Sequence, residues 1–105
     1  MSQMNMQQMM KQAQKMQARL AEAQDKLSDI EVSSSTGGGA VKVTATADMK
    51  ITSITIDPDS LDPSDVDLLQ DMILTAINDA LESAQDAASK QLSAATGGLN
   101  IPGMM

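Results

Sequence analysis

The 105-residue chain contains no cysteine and no histidine, and these absences exclude several kinds of site. Disulfides, zinc sites built on thiolates or imidazoles, iron–sulfur clusters and cysteine nucleophiles all need one of these side chains. Serine and threonine hydroxyls remain, but no histidine can act as their base and no lysine stands at a recognisable catalytic spacing. We therefore expect no enzymatic activity, no metal site, no cofactor and no small-molecule substrate.

Aromatic residues and long apolar runs are also missing. Without aromatic rings the chain has no platform on which to stack the bases of RNA or single-stranded DNA. No apolar run approaches the roughly 18–20 residues that span a bilayer. The Met- and Gln-rich N-terminus lacks the basic segment and apolar run of a signal peptide. These features predict a cytoplasmic protein that does not bind membranes.

Positive charge is scarce, because 7 basic residues face 14 acidic ones and the net charge is −7. The sum disfavours nucleic acid as a partner. The distribution, however, is uneven. Residues 1–20 hold three cations and no anion, whereas residues 57–71 hold six aspartates and no cation. The two signs of charge are therefore separated along the chain.

The longest regular pattern in the chain covers residues 6–30. Apolar side chains recur there in alternating steps of three and four, at Met6, Met9, Ala13, Met16, Leu20, Ala23, Leu27 and Ile30. Such a heptad repeat predicts a helix about 40 Å long, with a seam that packs against another helix. The methionines on this seam are interpreted as packing residues, while Met4 and Met10 lie off it and stay open as an adaptable binding surface.

Lys11, Lys15 and Arg19 follow one another at intervals of four residues within this helix. That spacing places them in one stripe beside the seam. Two interpretations remain open from the residues alone: a solvated helix face, or a surface that contacts the phosphates of duplex DNA. Without aromatic side chains, and with few asparagines for base edges, DNA contact would be mostly to the backbone.

Two β-branched runs follow the helix. Residues 40–46 alternate strictly, with Val41, Val43 and Ala45 on one face, and residues 50–56 place Thr52, Ile54 and Ile56 on one face. A turn at Ala47-Asp48-Met49 joins them into an antiparallel hairpin with one covered face. The Ser/Gly-rich residues 31–39 are compatible with a loop or with an edge strand that includes Val32.

A second long helix is predicted after residue 62. Asp62 is its expected N-cap, with Pro63 at the first helical position and Asp65 at the third. Its apolar stripe is Val66, Leu69, Ile73, Ala76, Ile77, Ala80, Ala84 and Ala87, and the sequence Thr96-Gly97-Gly98 predicts a glycine C-cap.

The predicted fold class is α+β, in the order α-β-β-α or α-β-β-β-α, with a small antiparallel sheet and two long helices in one domain over residues 1–105. Residues 1–5 and 97–105 are expected to be mobile. One helix cannot cover both the heptad seam and the sheet face, so we expect a homodimer. The predicted core and dimer residues are Met9, Ala13, Met16, Leu20, Leu27, Val41, Val43, Ile54 and Ile56.

Two short motifs resemble ligand-binding loops but lack features that those loops require. A calcium loop starting at Asp57 needs glycine at its sixth position and glutamate at its twelfth, where Asp62 and Leu68 stand. The glycines at 37–39 lead into a strand, whereas the glycines of a phosphate-binding P-loop lead into a helix. The first motif is interpreted as a strand exit and helix cap, the second as a turn.

Three separated segments together resemble one family. The core GGGAVKVTATADMKITSITIDP, the lead-in MNMQQMMKQAQKMQ and the ending TGGLNIPGM are similar to the YbaB/EbfC family of bacterial nucleoid-associated proteins. The resemblance covers nearly the whole chain in the right order. It implies a cytoplasmic, nucleoid-located homodimer whose helices project like tweezers, bind DNA, alter its conformation and affect gene expression.

The resemblance also implies where DNA is contacted, namely on the first helix and at the end of the last. In this sequence the matching cations are Lys11, Lys15, Arg19, Lys26 and Lys90. The last helix departs from this pattern, because Glu82 and Asp86 stand where lysines would serve DNA better. The hairpin turn also lacks the glycine common in the family.

Two functions are therefore weighed. The first is a dimer that binds duplex DNA through backbone phosphates, with low sequence specificity. The second is an acidic interaction protein that engages a basic or DNA-bound protein partner and binds DNA weakly or not at all.

Overall fold

The computed structural model describes residues 6–96 and confirms the α+β class. The elements follow the order α1 (Met6–Lys26), β1 (Glu31–Thr36), β2 (Val41–Thr46), β3 (Lys50–Ile56) and α2 (Val66–Ala95). Short 3-10 turns at Leu27–Asp29, Gly37–Gly39 and Pro58–Ser60 separate them. The expected mobility of residues 1–5 and 97–105, and the predicted cap at Gly97 and Gly98, lie outside the described residues.

The sheet has three antiparallel strands in the order β1-β2-β3, so the segment that was compatible with a loop or a strand is a strand at one edge. Its side chains alternate in burial. Val32, Ser34 and Thr36 face α2, and the Thr36 hydroxyl donates to the Met72 carbonyl at 3.0 Å. Ser34 donates in the same way to the Ala76 carbonyl. These two bonds attach the edge strand to the helix that covers it.

The core lies between the sheet and α2. Val41, Val43 and Ala45 on β2 are fully buried, as the alternation in the sequence predicts. Opposite them, α2 presents alanines one turn apart, namely Ala76, Ala80 and Ala84, all at 0% exposure. Because alanine adds only a methyl group, the helix backbone lies close to the sheet. Leu69, Met72, Ile73 and Ile77 border this contact.

A β-bulge changes the predicted face of β3. Ala45 pairs with Ile51 and Thr44 pairs with Ser53, so Thr52 is the extra residue. The prediction that Thr52 shares a face with Ile54 and Ile56 is therefore wrong, because the bulge puts Ile51 in that place. Thr52 instead hydrogen-bonds to the Thr44 hydroxyl, with 2.7 Å between the two oxygens.

The start of α2 also differs from the prediction. Asp65, not Asp62, is the N-cap, and its carboxylate accepts a hydrogen bond from the Leu68 N–H at 3.1 Å. Asp62 instead closes the preceding turn, where it accepts bonds from the Ser64 hydroxyl (2.7 Å) and the Ser64 N–H (2.9 Å). These bonds, the hydroxyl bond first, lower the pKa of Asp62 below its ordinary 3.8.

The first helix ends earlier than residue 30, because its last turn tightens into the 3-10 turn at Leu27–Asp29. The carbonyls of Leu27 and Ile30 both accept the Ala47 N–H, at 3.1 and 2.9 Å. This contact fixes the end of α1 to the turn between β2 and β3. Since Ala23 and Ala47 are buried, the base of α1 is held by packing as well as by hydrogen bonds.

Candidate nucleic-acid interface

Three of the five cations predicted to contact DNA are spaced four residues apart on α1, and all three are exposed. We call Lys11, Lys15 and Arg19 the cationic stripe. At 1.5 Å per residue, each step of four residues advances about 6 Å, so the stripe is about 12 Å long. The helix supplies a regular support for it, because no glycine or proline interrupts residues 6–26.

The stripe and the apolar seam occupy different faces of α1. Lys11 stands two residues from Met9 and two from Ala13, which on a helix is about 200° from each. Lys11 therefore projects away from the apolar seam, whereas Arg19 lies nearer to the seam and lines the cleft between α1 and α2. Lys11 and Lys15 are exposed to solvent, where they can contact an anion.

The ion pairs of the described residues distinguish the stripe from Lys26. Over residues 6–96 one ion pair is present, between Lys26 and Glu22, at 3.3 Å between Nζ and the carboxylate. Glu22 therefore offsets part of the charge that Lys26 could offer to DNA. Lys26 and Arg19 nevertheless line the same cleft between α1 and α2, about 250 Å³ in volume.

Lys90 lies near the end of α2, next to Gln91, which lines that same cleft. Lys90 itself is exposed, and it is not among the residues that line the cleft with Arg19. Glu82 and Asp86 are exposed further back on α2. The cation at the end of α2 is therefore preceded by two anions, whereas those of the stripe have no anion before them.

α1 runs antiparallel to the last turns of α2. Leu27 shares a cleft with Gln85, and Arg19 shares one with Ala95. The N-terminal half of α1 (residues 6–16) thus extends beyond the end of α2. Burial along the seam follows this arrangement: Ala23 is buried, Met16, Leu20 and Leu27 are half-buried, and Met9 and Ala13 are exposed.

Negative charge is concentrated at the other end of α2. Six aspartates lie in the first two turns of this helix and in the residues before it, and we call them the aspartate end: Asp57, Asp59, Asp62, Asp65, Asp67 and Asp71. All six are exposed. Because α2 has 30 residues, about 45 Å separates its two ends. The separation of charge along the sequence is thus also a separation in space.

A row of isoleucines on β3 is left uncovered. Ile51, Ile54 and Ile56 pair in register with the buried Ala45, Val43 and Val41, so they point to the same side of the sheet. They are nevertheless 36, 45 and 39% exposed, since α2 packs mainly over β1 and β2. We call them the isoleucine strip. The sequence predicted Ile54 and Ile56 on this face, as core or dimer residues, and missed Ile51, which the bulge places there.

Metal-binding clusters and membrane-spanning helices are two further features that a surface of this kind could include. Over residues 6–96 no three or more acidic, cysteine or histidine side chains converge as metal ligands. Neither α1 nor α2, as far as they are described, has the length and apolar character needed to cross a membrane. In the described part of the chain, the cationic stripe, the aspartate end and the isoleucine strip are therefore the surfaces with a distinct chemical character.

Comparison with known proteins identifies sequence relatives over nearly the whole chain. The sequence model of the YbaB/EbfC DNA-binding family matches residues 1–99. A nucleoid-associated protein of Pelotomaculum thermopropionicum is 52% identical over 100 residues, which cover 95% of each chain. A nucleoid-associated protein of Desulforamulus reducens is 50% identical with the same coverage.

The fold has a counterpart among solved structures. The crystal structure of the uncharacterized protein HP0035 from Helicobacter pylori superimposes with a TM-score of 0.75 and covers 91% of this chain and 100% of its own. Its sequence is 23% identical, so this similarity concerns the fold alone.

Proposed function

Because the chain belongs to the YbaB/EbfC DNA-binding family, we propose that it binds duplex DNA as a nucleoid-associated homodimer. In this proposal the cationic stripe contacts backbone phosphates, and the protein acts in the cytoplasm, on the nucleoid. Changes in DNA conformation and in gene expression follow from coating or deforming the duplex. The observation that carries the proposal is three exposed cations on one helix face, in a segment with no anion before Glu22.

The side chains of the stripe favour backbone contact over base readout. Lysine ammonium groups bind phosphates as point charges and read little sequence. The expected binding is therefore of low sequence specificity and strongly weakened by salt.

The homodimer is supported by the isoleucine strip. Three β-branched side chains at 36 to 45% exposure lie along an edge strand, on the side of the sheet that faces the core. A second copy that covers them would bury apolar surface and also remove a free strand edge. Each dimer would then carry two cationic stripes, enough for about six phosphate contacts.

One observation favours the second candidate function, an acidic interaction protein. The aspartate end is fully exposed and contains no cation, so it could attract a basic protein, itself free or bound to DNA. This surface lies at the opposite end of α2 from the stripe, so variants can separate the two activities.

The test measures anisotropy of a fluorescent random-sequence duplex, titrated with protein between about 25 and 300 mM salt. Wild type is compared with Lys11→Glu/Lys15→Glu and with Lys42→Glu/Lys50→Glu. The control pair alters the net charge by the same amount, but its two lysines belong to the sheet strands. We expect the stripe variant to lose binding and the control variant to keep most of it.

Equal losses in both variants would show that net charge, rather than the stripe, determines the affinity. Absence of wild-type binding at the lowest salt would instead favour the acidic interaction protein. Capture of basic proteins by wild type, compared with a variant in which Asp59, Asp67 and Asp71 are replaced by asparagine, would then test the aspartate end.

A further inference from the structure

The heptad seam of α1 is covered along only part of its length. Its second half, around Leu20, Ala23 and Leu27, packs near the end of α2 and the hairpin turn. No described residue covers its first half in this way: Met6 is 75% exposed, Met9 55%, and Ala13 is also exposed. We call Met6, Met9, Ala13 and Met16 the methionine seam.

The methionine seam continues, in the same register, an interface that already packs against a helix. A seam with steps of three and four residues fits a second helix that crosses it at a small angle. Ala13 lies between two methionines, so a partner helix can approach closely there, and the unbranched methionines can adapt to fill the remaining space. A partner that suits this surface is therefore a helix with an apolar face.

A second copy of the same segment has that chemistry. Two identical seams can pair around a two-fold axis, because every contact from a residue of one copy to a residue of the other is then made a second time in the opposite direction. Charge does not oppose the contact: Lys11 and Lys15 project away from the seam. Across two helices of about 10 Å diameter, the two stripes are separated by more than the Debye length of about 8 Å at physiological salt.

We propose that the N-terminal half of α1 pairs, seam to seam, with the same segment of a second copy. The paired helices present their cationic stripes on opposite sides. If the stripes bind phosphates, which rests on the proposed function, one pair of helices contacts two duplexes and bridges them.

The absence of cysteine from the chain allows a direct test. Ala13→Cys and Met9→Cys place one thiol on the seam, while Ala18→Cys places one on the opposite face of the same helix. Ala13 and Ala18 are both exposed alanines, so the two variants are matched. Each protein is oxidised under mild conditions without DNA, alone and in equimolar mixtures, and disulfide-linked dimers are quantified on non-reducing gels.

Parallel pairing predicts that Ala13→Cys and Met9→Cys each cross-link alone, and antiparallel pairing that they cross-link mainly in the mixture. In either case the seam thiols react at least about tenfold faster than Ala18→Cys, because pairing holds them close. Equal rates for all three positions overturn the proposal. That result would mean that the seam is covered by residues 97–105 or by a different protein rather than by a second copy of α1.

A second measurement tests the consequence for DNA. Beads that carry one duplex are incubated with protein and with a second, fluorescent duplex. Met9→Gln/Ala13→Gln changes no charge, so it is expected to bind one duplex as wild type does but to retain about tenfold less of the second. Ala18→Gln is the matched control. Loss of retention in both variants, or in neither, contradicts bridging through the seam, whereas the cross-linking result does not depend on DNA binding.

Discussion

At the scale of single residues, two neighbouring glycines share a backbone conformation but not an environment. Gly37 and Gly38 have φ values of 62° and 67°, in the left-handed region that other residues avoid. A side chain added at Gly37 would overlap the end of the Met72 side chain, whereas nothing lies within 4 Å of a Cβ added at Gly38. Only Gly37 therefore combines backbone strain with a steric requirement.

This difference gives a matched pair of substitutions. Gly38→Ala is expected to lower the free energy of unfolding by about 1–2 kcal/mol, the cost of a left-handed alanine. Gly37→Ala should cost more, by up to about 1 kcal/mol, because the terminal methyl of Met72 must turn away from its place beside the core. Urea unfolding of both variants, followed by circular dichroism, measures the two values. Equal losses would show that Met72 relaxes without cost.

Single residues are also where prediction from the sequence was weakest. Asp62 and Asp65 both satisfy the rules for an N-cap, and the sequence does not say which one reaches a free N–H of the helix. The bulge in β3 had no sequence signal, because Thr52 is as suitable for a regular strand as Ile51 is. Both outcomes depend on local hydrogen bonds that composition and periodicity do not specify.

At the scale of elements, α2 owes its position to small side chains. Ala76, Ala80 and Ala84 form a row that meets Val41 and Val43 across the core, with no exposed surface on any of them. The same spacing in the sequence predicted a second apolar stripe, but it did not specify how closely the alanines approach the sheet. The structure shows a close approach, because the hydroxyls of Ser34 and Thr36 reach carbonyls of this helix.

We expect Ala80→Leu to destabilise the fold by about 1–3 kcal/mol, because the larger side chain forces α2 away from the sheet. Ala18→Leu, at an exposed position of α1, provides the control and should change stability by less than about 0.5 kcal/mol. Thermal unfolding of both variants gives the comparison. If Ala80→Leu melted at the wild-type temperature, the contact between α2 and β2 would be looser than described.

The two helices, β2 and β3 were predictable because each has the period of its structure, 3.5 residues in α1 and 2 residues in β2. For the segment that contains the edge strand β1, the sequence did not distinguish a strand from a loop. Its sequence EVSSST has one apolar residue, so hydrophobic alternation cannot identify it. Its strand structure depends instead on pairing with β2 and on the two hydroxyl bonds to α2, which are contacts distant in the sequence.

At the scale of the whole molecule, the isoleucine strip determines what a second copy can cover. In the proposed dimer, Ile54→Glu places a charge in the interface; combined with Met9→Gln/Ala13→Gln, so that the methionine seam does not hold two copies together, it should shift the protein from dimer to monomer. Thr55→Glu in the same background is the matched control, since its side chain points to the opposite side of the sheet and the charge change is identical. Sedimentation equilibrium distinguishes them, and a dimeric combined variant with Ile54→Glu would exclude the strip as the interface.

The surface of the stripe could be derived from the sequence, because helical spacing alone places Lys11, Lys15 and Arg19 together. What could not be derived is the position of the stripe in the molecule. The distance of about 45 Å between the two ends of α2 is the length of that helix, and the cations lie at the end away from the aspartates because α1 packs antiparallel against its last turns. This separation lets an acidic chain offer a cationic surface.

The dependence of affinity on salt follows from this arrangement. If a dimer contacts about six phosphates, log K falls with log salt at a slope of about −5. Lys15→Gln removes two of these contacts from the dimer, so the slope should become shallower by about two. Lys42→Gln, which changes the net charge equally but lies on the sheet, should leave the slope unaltered. An equal change of slope in both variants would mean that the overall field of the protein, not the stripe, displaces the counterions.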